Sequence, residues 1–395
     1  MRLCVVSPFP PEISGVGQYG WHLTAGLART GRFEAITVLA DQGRESGQPS
    51  PHPAVTVRHL WRRDDPGAVV ALWRALRTDR PDALWFNAGL TMFGRSRAAN
   101  FLGLCLPALA RRAGLRVVVT LHEVFEAARL RSLGLPNGRF TQAGAQAATH
   151  LLLGADAVGV TLRRYADLLH QRYGARNVHH LPIGAYTRVG LAPRPADAPP
   201  NDCLFFTSLA PHRGLEALLP AFQAARARYP EATLTIAGSE HPRFPGYSEQ
   251  ARADARGLPG VRWLGPRGEA EVHALFAQTR VVVVPYLATT GASSVLSRAA
   301  ALGRPVIASD LPDLRATAEE VGLRVVWTPP GDAAALARAL VELLDYPARQ
   351  AELARHNAEV MRALSLEVTS ARYADLLTPN QPSLAPAPHR AADQA

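Results

Sequence analysis

Residues 2–29 read RLCVVSPFPPEISGVGQYGWHLTAGLAR, and this stretch sets the fold class. It opens with a short apolar run, Arg2–Ser7, the length of one buried strand. From Val16 to Arg29 the apolar positions recur at helical spacing, so strand, loop and helix follow in that order. The alternation continues outward. Ala35–Ala40, Val55–Trp61, Ala83–Asn87, Arg116–His122, Ala157–Thr161 and Val178–Ile183 read as strands. Ala68–Leu76 and Arg97–Arg112 read as amphipathic helices among them. Unbroken β-branched runs alternating with helices predict a parallel sheet covered on both faces.

The segment Gly184–Asn201, GAYTRVGLAPRPADAPPN, breaks the pattern and reads as a linker. Strand-like runs then restart at Cys203–Leu209, Ala232–Gly238, Val261–Gly265, Val281–Tyr286, Pro305–Ser309 and Leu323–Trp327. Helices are predicted at Asp332–Asp345, Ala348–Ala363 and Leu366–Leu377. The expected fold is α/β, with two doubly wound, Rossmann-like domains spanning residues 1–190 and 200–362. A length of 395 residues suits two such domains. The Pro/Ala-rich stretch 379–395 is expected to be a disordered tail. Ligands of such sheets bind beyond the carboxyl ends of the strands, so the loops there carry the chemistry.

The net charge is +10, and all 43 basic residues are arginine, with no lysine. That bias, with abundant Ala, Pro, Leu and Gly, explains the basic balance without a nucleic-acid partner, because the arginines form no arm or aromatic-interleaved strip. The three cysteines, Cys4, Cys105 and Cys203, lie far apart in apolar segments and read as reduced thiols. Met1–Pro8 reads as a strand entering a loop rather than a leader, and no apolar run reaches the ~20 residues of a membrane span. A soluble, cytoplasmic protein is expected. Arg95, Arg97, Arg111, Arg112 and Arg116 bracket an apolar middle, which would suit peripheral contact with the inner face of an anionic membrane.

Gly15, Gly17 and Gly20 give the spacing G-x-G-x-x-G, and Asp41 ends the next strand. In a dinucleotide site the first glycine follows the strand directly. Here SPFPPEIS, with three prolines, intervenes, which argues against a nicotinamide site. What remains is a projecting loop whose backbone can approach a ligand closely at a helix start.

With its Pro-Pro and Gly-rich loop, PFPPEISGVGQYGWHLTAGLART resembles the opening of the GT-B glycosyltransferases of the retaining family 4. FFTSLAPHRGLEALLPAF, ATLTIAGSE, VRWLGPRGEAEVHALFAQTRVVVVPY, GRPVIASDLPDLRA and VVWTPPGDAAALARALVELL resemble that family's successive units in order. SARYADLL resembles its terminal helix, which implies that residues 363–378 cross back to the first domain. The likeness covers about residues 1–378. It implies donor-binding roles for Gly15, Gly17, Ser208, Arg213, Gly214, Thr290, Gly291, Ser293, Ser294 and Arg298. It places His122, at the end of VVVTLHEVFE, beside the reacting sugar as the catalytic candidate, with Glu123 and Glu126 towards the acceptor.

Two departures matter. Thr207 and Ser208 stand where the family carries Gly-Arg, although Arg213–Gly214 keeps a cation at its Lys-Gly. In PYLATTGASSVLSRAAALGRPV, Thr290 and Arg298 replace two glutamates spaced E-x7-E, the first facing the donor sugar and the second the ribose. Ser293 or Ser294 can still cap the following helix, and Gly291 and Arg298 can add to a phosphate site there. Neither a D-x-D nor a set of residues at metal-ligand spacing occurs, His179–His180 being an isolated doublet, so no metal or other cofactor is expected beyond the nucleotide sugar.

The resemblance implies a retaining glycosyltransferase of cell-envelope or polysaccharide biosynthesis. It would move a sugar from a nucleotide-diphosphate donor to a saccharide, lipid-linked or small-molecule acceptor. Loss of both glutamates motivates the alternative, a non-catalytic GT-B-like binding or stabilising subunit.

Overall fold

The structure is a computed structural model and describes residues 1–10, 14–42, 50–89, 92–124, 138–199 and 201–384. Seven strands, β1 (Arg2–Val6), β2 (Ala35–Asp41), β3 (Val55–Trp61), β4 (Ala83–Ala88), β5 (Arg116–Leu121), β6 (Ala157–Val160) and β7 (Val178–His180), form one sheet. Its order is β3-β2-β1-β4-β5-β6-β7, parallel throughout. A second parallel sheet contains β8 (Asp202–Phe206), β9 (Thr233–Ala237), β10 (Val261–Gly265), β11 (Val281–Val284), β12 (Val306–Ser309) and β13 (Val326–Thr328). Its order is β10-β9-β8-β11-β12-β13. The strands at the centre are apolar runs because both faces are covered: Leu3, Cys4, Val5 and Val6 are all buried, as are Val281–Val284.

Helices of the first half are α1 (Gly15–Arg29), α2 (Ala68–Asp79), α3 (Arg97–Leu104), α4 (Leu106–Arg112), α5 (Arg139–Leu153) and α6 (Arg163–Tyr173). The second half adds α7 (Leu215–Arg226), α8 (Tyr247–Asp254), α9 (Glu269–Gln278), α10 (Ser294–Ala301), α11 (Pro312–Glu319), α12 (Ala333–Asp345), α13 (Pro347–Arg362) and α14 (Leu366–Leu377). Ser14 caps α1 by accepting from Gly17 N–H at 3.0 Å, and Asp332 caps α12 through Ala335 N–H at 2.8 Å. The single helix expected over Arg97–Arg112 is two helices meeting at Cys105. Pro107 lacks the N–H that would return to Gly103, and its ring crowds that carbonyl, so the first helix ends there.

α14 returns to the first sheet. Its Tyr373 is fully buried, with its hydroxyl 2.9 Å from both the Tyr19 and Thr120 hydroxyls, and Trp85 Nε1 donates to Thr120 Oγ1 at 2.9 Å. α1 and α14 cross closely because Gly26 has no side chain: a Cβ there would lie 1.9 Å from Ser370 Oγ. Residues 379–384 are not loose: Leu384 N–H and Ser383 Oγ are both held by Asp375, and Arg32 reaches the Pro382 carbonyl. The rest of the expected tail lies outside the described residues.

The halves also meet side by side. Leu162 offers no side chain to cap α6, and Glu320, just past α11, supplies the acceptor instead. Its carboxylate accepts from Arg163 N–H at 2.6 Å and Arg164 N–H at 3.3 Å.

Candidate functional site

Both sheets reverse strand order once, between β1 and β4 and between β8 and β11. Open parallel sheets bind ligands outside the carboxyl ends of the strands at such points. Gly15 and Gly17 lie just beyond β1, Ser208, Arg213 and Gly214 beyond β8, and Thr290–Ser294 beyond β11. His122 and Glu123 lie beyond β5, next to β4. The two sets of loops face each other and touch. Thr290 Oγ1 donates to Glu123 Oε1 at 3.0 Å, and Arg95 Nη2 donates to the Pro242 carbonyl at 2.5 Å.

His122 terminates a buried polar chain. Asn87 Nδ2 donates to Ser7 Oγ and to the Val16 carbonyl, both at 2.9 Å, which fixes its Oδ1 as an acceptor. Oδ1 sits 2.7 Å from His122 Nε2, so Nε2 carries the hydrogen and Nδ1 keeps its lone pair. The Tyr19 ring packs edge-on against the imidazole with centroids 4.7 Å apart. Gly20 makes room for this chain, because a Cβ there would fall 2.4 Å from Ser7 Oγ and 3.1 Å from Asn87 Nδ2. The third glycine of the G-x-G-x-x-G spacing thus serves helix-to-strand packing. Asp41 is not at a ribose site: it accepts from Phe9 N–H at 3.1 Å and pairs with Arg63 at 3.1 Å, pinning the loop after β1.

Burial lowers the His122 pKa from its ordinary 6.5 to about 4. Between these values the unfolded chain binds a proton that the folded chain refuses, so stability falls as pH drops from about 6.5 towards 4. The contribution of this one group is about 3 kcal/mol as an upper bound. The thermal midpoint is therefore expected to fall steadily from pH 7 to pH 4, and a His122→Gln variant to show a shallower fall. Parallel curves for the two proteins would show that another group drives the acid loss.

Arg213 closes a short 3-10 turn, Pro211–Arg213, and its guanidinium carbon sits 4.5 Å over the Tyr286 ring. Tyr286 is itself held by a 3.0 Å bond to Thr207 Oγ1. Arg213 forms no ion pair among the described residues, and its Nε is buried without a partner. Gly214 follows at φ +76°, and a Cβ there would lie 1.9 Å from the Pro285 carbonyl oxygen, so only glycine brings the loops after β8 and β11 this close. Ser208 lies half-buried in the same loop.

The loop after β11 meets expectation in its serine cap on α10 and differs from it at Gly291, Thr290 and Arg298. Gly291 N–H is not open to a ligand: it donates to the Tyr165 hydroxyl at 2.9 Å and to Asp313 Oδ2 at 3.0 Å. Ser293 caps α10 through Leu296 N–H at 3.4 Å, and its own N–H donates to Thr317 Oγ1 at 3.1 Å. Thr290 is committed to Glu123 across the gap rather than to a donor. Arg298, expected to add charge to a phosphate site, is 3 % exposed and bonded through both terminal nitrogens to Glu269, at 2.7 and 3.2 Å. Its charge is spent there, because a bidentate carboxylate neutralises a guanidinium. The N–H groups of Ser294 and Val295, which have no intrahelical acceptor by geometry, remain the anion-seeking end of α10.

Several functional neighbours escape sequence reasoning. Glu269, at the start of α9, also lies 3.1 Å from His22 Nε2 of α1, joining the halves. Burial alone would raise its pKa, but the bond to His22 and the charge of Arg298 bring it down to about 2. His22 stacks flat on Tyr186, with centroids 4.7 Å apart, and Arg298 lies over the same ring at 5.2 Å. Asp313 ties Tyr165, Arg164 and Gly291 together across the halves. Both positions where the resemblance expects a glutamate therefore hold a carboxylate borrowed from another element, Glu123 at Thr290 and Glu269 at Arg298. Burial raises the Glu123 pKa, opposed by the Thr290 bond and by the charges of Arg243 and Arg213. Glu126 lies outside the described residues. Among the described residues, no group of three or more His, Cys, Asp or Glu side chains could hold a metal ion, and no helix is long and apolar enough to cross a membrane.

Comparison with known proteins adds to this geometry. Residues 14–184 match the family described as "Glycosyl transferase 4-like domain", and residues 200–346 match "Glycosyl transferases group 1". A phosphatidyl-myo-inositol mannosyltransferase from Mycobacterium leprae is 33 % identical over 165 residues, 41 % of this chain and 42 % of that protein. Its counterpart from Propionibacterium freudenreichii is 29 % identical over 138 residues, 35 % of this chain and 33 % of that protein. The chain thus aligns with less than half the length of these curated relatives. Among solved structures, sucrose-phosphate synthase from Thermosynechococcus elongatus superposes with a TM-score of 0.74 at 19 % identity, covering 96 % of this chain and 99 % of that one. Anabaena Alr3699/HepE in complex with UDP and glucose gives a TM-score of 0.71 at 17 % identity, covering 96 % and 100 %. At such identities the likeness shows the fold, two parallel α/β sheets in the GT-B arrangement.

Proposed function

Since the chain belongs to the group 1 glycosyltransferases with a family-4-like first half, we propose that it transfers a sugar from a nucleotide-diphosphate donor to a saccharide, lipid-linked or small-molecule acceptor, with retention at the anomeric carbon. The observation that carries this reading is Arg213, a guanidinium with a buried, unpartnered Nε at the reversal point of the second sheet, whose charge reaches Glu123, the neighbour of neutral His122 at the first. Arg213 and the N-terminus of α10 would hold the diphosphate and stabilise the charge it gains on leaving. Gly15 and Gly17 would bring α1 close to the same group.

His122 Nδ1 would accept a hydrogen bond from a sugar hydroxyl. The anomeric carbon–oxygen bond breaks with its electron pair passing to the diphosphate. The acceptor oxygen bonds to the same face, and its proton passes to the leaving phosphate oxygen. No carboxylate pair of the glycosidase kind is needed for this sequence. Closure, of which the Thr290–Glu123 bond is one contact, excludes water so that transfer outruns hydrolysis. The names of the relatives make a hexose such as mannose the first donor class to test, with a lipid-linked acceptor.

Peripheral contact with the inner face of a membrane, for a protein working in the cytoplasm, forms part of the proposal. Phe101 and Leu102 of α3 and Leu109 of α4 are exposed, beside Arg97 and Arg112. The other bracketing arginines are engaged: Arg95 with Pro242, Arg111 with Asp156 and Arg116 with the Leu376 carbonyl. Calorimetric titration with UDP, GDP, UDP-glucose and GDP-mannose tests the donor reading, followed by assay of slow donor hydrolysis. Micromolar to low-millimolar binding of one base series is expected. No binding by any of the four would leave a GT-B fold without this activity.

A further inference from the structure

His212 and Arg213 are consecutive residues of the 3-10 turn after β8, and each has a buried nitrogen with no hydrogen-bond partner, Nδ1 and Nε respectively. Leaving such a group unmade costs about 1–3 kcal/mol, so two adjacent ones point to a ligand that completes them. His212 is 7 % exposed, and its carbonyl is fixed by Leu287 N–H at 2.9 Å and Ala288 N–H at 3.3 Å, so the turn is rigidly set against the loop after β11. Its ring lies 5.7 Å from that of His241 and 5.4 Å from that of Phe244, both in the loop after β9. His241 Nδ1 accepts from Arg243 N–H at 3.2 Å, which leaves its hydrogen on Nε2.

We propose that His212 and His241 form, with Arg213, an anion site in which His212 takes up a proton from solvent when a phosphate-bearing ligand binds, so that donor affinity rises as pH falls. This rests on the reading that a diphosphate binds beside Arg213. The charges around the pair are lopsided. Arg213 flanks it on its own turn and Arg243 on the β9 loop, and Arg95 from the first half bonds the neighbouring Pro242. The anionic groups nearby are Glu123 from the first half and, further along, Glu240 and Glu216. Glu240 is held by Ser248 N–H at 3.0 Å, and Glu216 by the Tyr247 hydroxyl at 2.7 Å. Burial first, then the neighbouring cations, lower His212 to about 3 and His241 to about 4, so both are neutral in the unliganded protein at pH 7. A di- or trianionic phosphate placed among them reverses the balance of charge. His212 can then accept a proton and turn its free lone pair into a charge-assisted donor to a phosphate oxygen, while His241, whose Nδ1 is taken by Arg243 N–H, offers the phosphate its Nε2 hydrogen.

The experiment is calorimetric titration of the full chain with inorganic pyrophosphate at pH 8, 7 and 6, each in two buffers of different ionisation enthalpy. His212→Gln, His241→Gln and the double variant are run beside the wild type, so that the titration of pyrophosphate itself cancels in the difference. The expected result is that the wild type takes up up to one proton more per ligand than the double variant at pH 6–7. Its affinity should gain about tenfold more than the variant's between pH 8 and pH 6. Equal proton counts and parallel pH dependence overturn the inference while leaving the diphosphate reading intact. No pyrophosphate binding at any pH overturns that reading, and the inference with it. If His212→Gln does not fold, His212→Asn is compared with the wild type in its place, by the same two-buffer difference.

Discussion

Arg213→Ala is expected to weaken UDP or GDP binding by about tenfold to a hundredfold while moving the thermal midpoint by no more than about 2 °C. The two halves of that result come from one observation. A guanidinium bonded to a phosphate contributes about 1.5–3 kcal/mol per charge-assisted contact, which is one to two decades of affinity. In the unliganded protein the same side chain satisfies nothing: its Nε has no partner, and its main contact is the Tyr286 face at 4.5 Å. Truncation removes an unsatisfied polar atom and a cation–π contact of about 1 kcal/mol, effects that largely offset each other. Arg213→Lys should fall between, because an ammonium keeps the charge and loses the planar fork. Unchanged affinity for both variants, measured by calorimetry, would remove Arg213 from the site.

Asp313→Ala is expected to do the opposite, costing stability first. Asp313 is buried and serves three partners: the Tyr165 hydroxyl at 2.8 Å, Gly291 N–H at 3.0 Å and the Arg164 guanidinium at 3.0 Å. Removing the carboxylate strands the buried Tyr165 hydroxyl, at about 1–3 kcal/mol, leaves Gly291 N–H with Tyr165 as its remaining acceptor, and frees a cation. A loss of about 3 kcal/mol corresponds to about 6–12 °C in the thermal midpoint. The same change takes one of the two acceptors from Gly291 N–H and loosens the loop that leads into α10, so the KM for donor should rise as well. Asp313→Asn, which keeps the volume and one acceptor, should recover part of both losses. A midpoint within 1 °C of wild type for Asp313→Ala, by calorimetric melting, would show that the halves are held elsewhere.

Much of this fold is legible in the chain because its central strands are buried on both faces. A run such as Val281–Val284 has no polar alternation to blur it, and the proline-rich 184–201 segment marks the division between sheets. The loops after β1, β8 and β11 are legible for the same reason, since each begins where such a run stops. Partnerships made across sequence are not. Arg298 reads as a free cation one turn into a helix, and nothing near it names Glu269, 29 residues earlier on another helix, as its partner. Asn87 lies inside an apolar strand, and only the pairing of β4 with β1 and β5 brings it to Ser7 and His122. Pro107 is the exception, a helix-breaking signal present in the sequence itself.

The path of α14 has a consequence for how the protein is made. Tyr373, Ala374 and Leu377 sit in the same apolar cluster as Leu3, Val5, Trp85 and Val118, so the first sheet shares a core with residues synthesised only after the whole second sheet. While the nascent chain is still emerging from the ribosome, that face of the sheet is only partly covered, by α1, although every strand beneath it has been translated. The first half must then wait, half-dressed, for the second to fold and deliver its closing helix, which makes this interval the one in which a chaperone has most to cover.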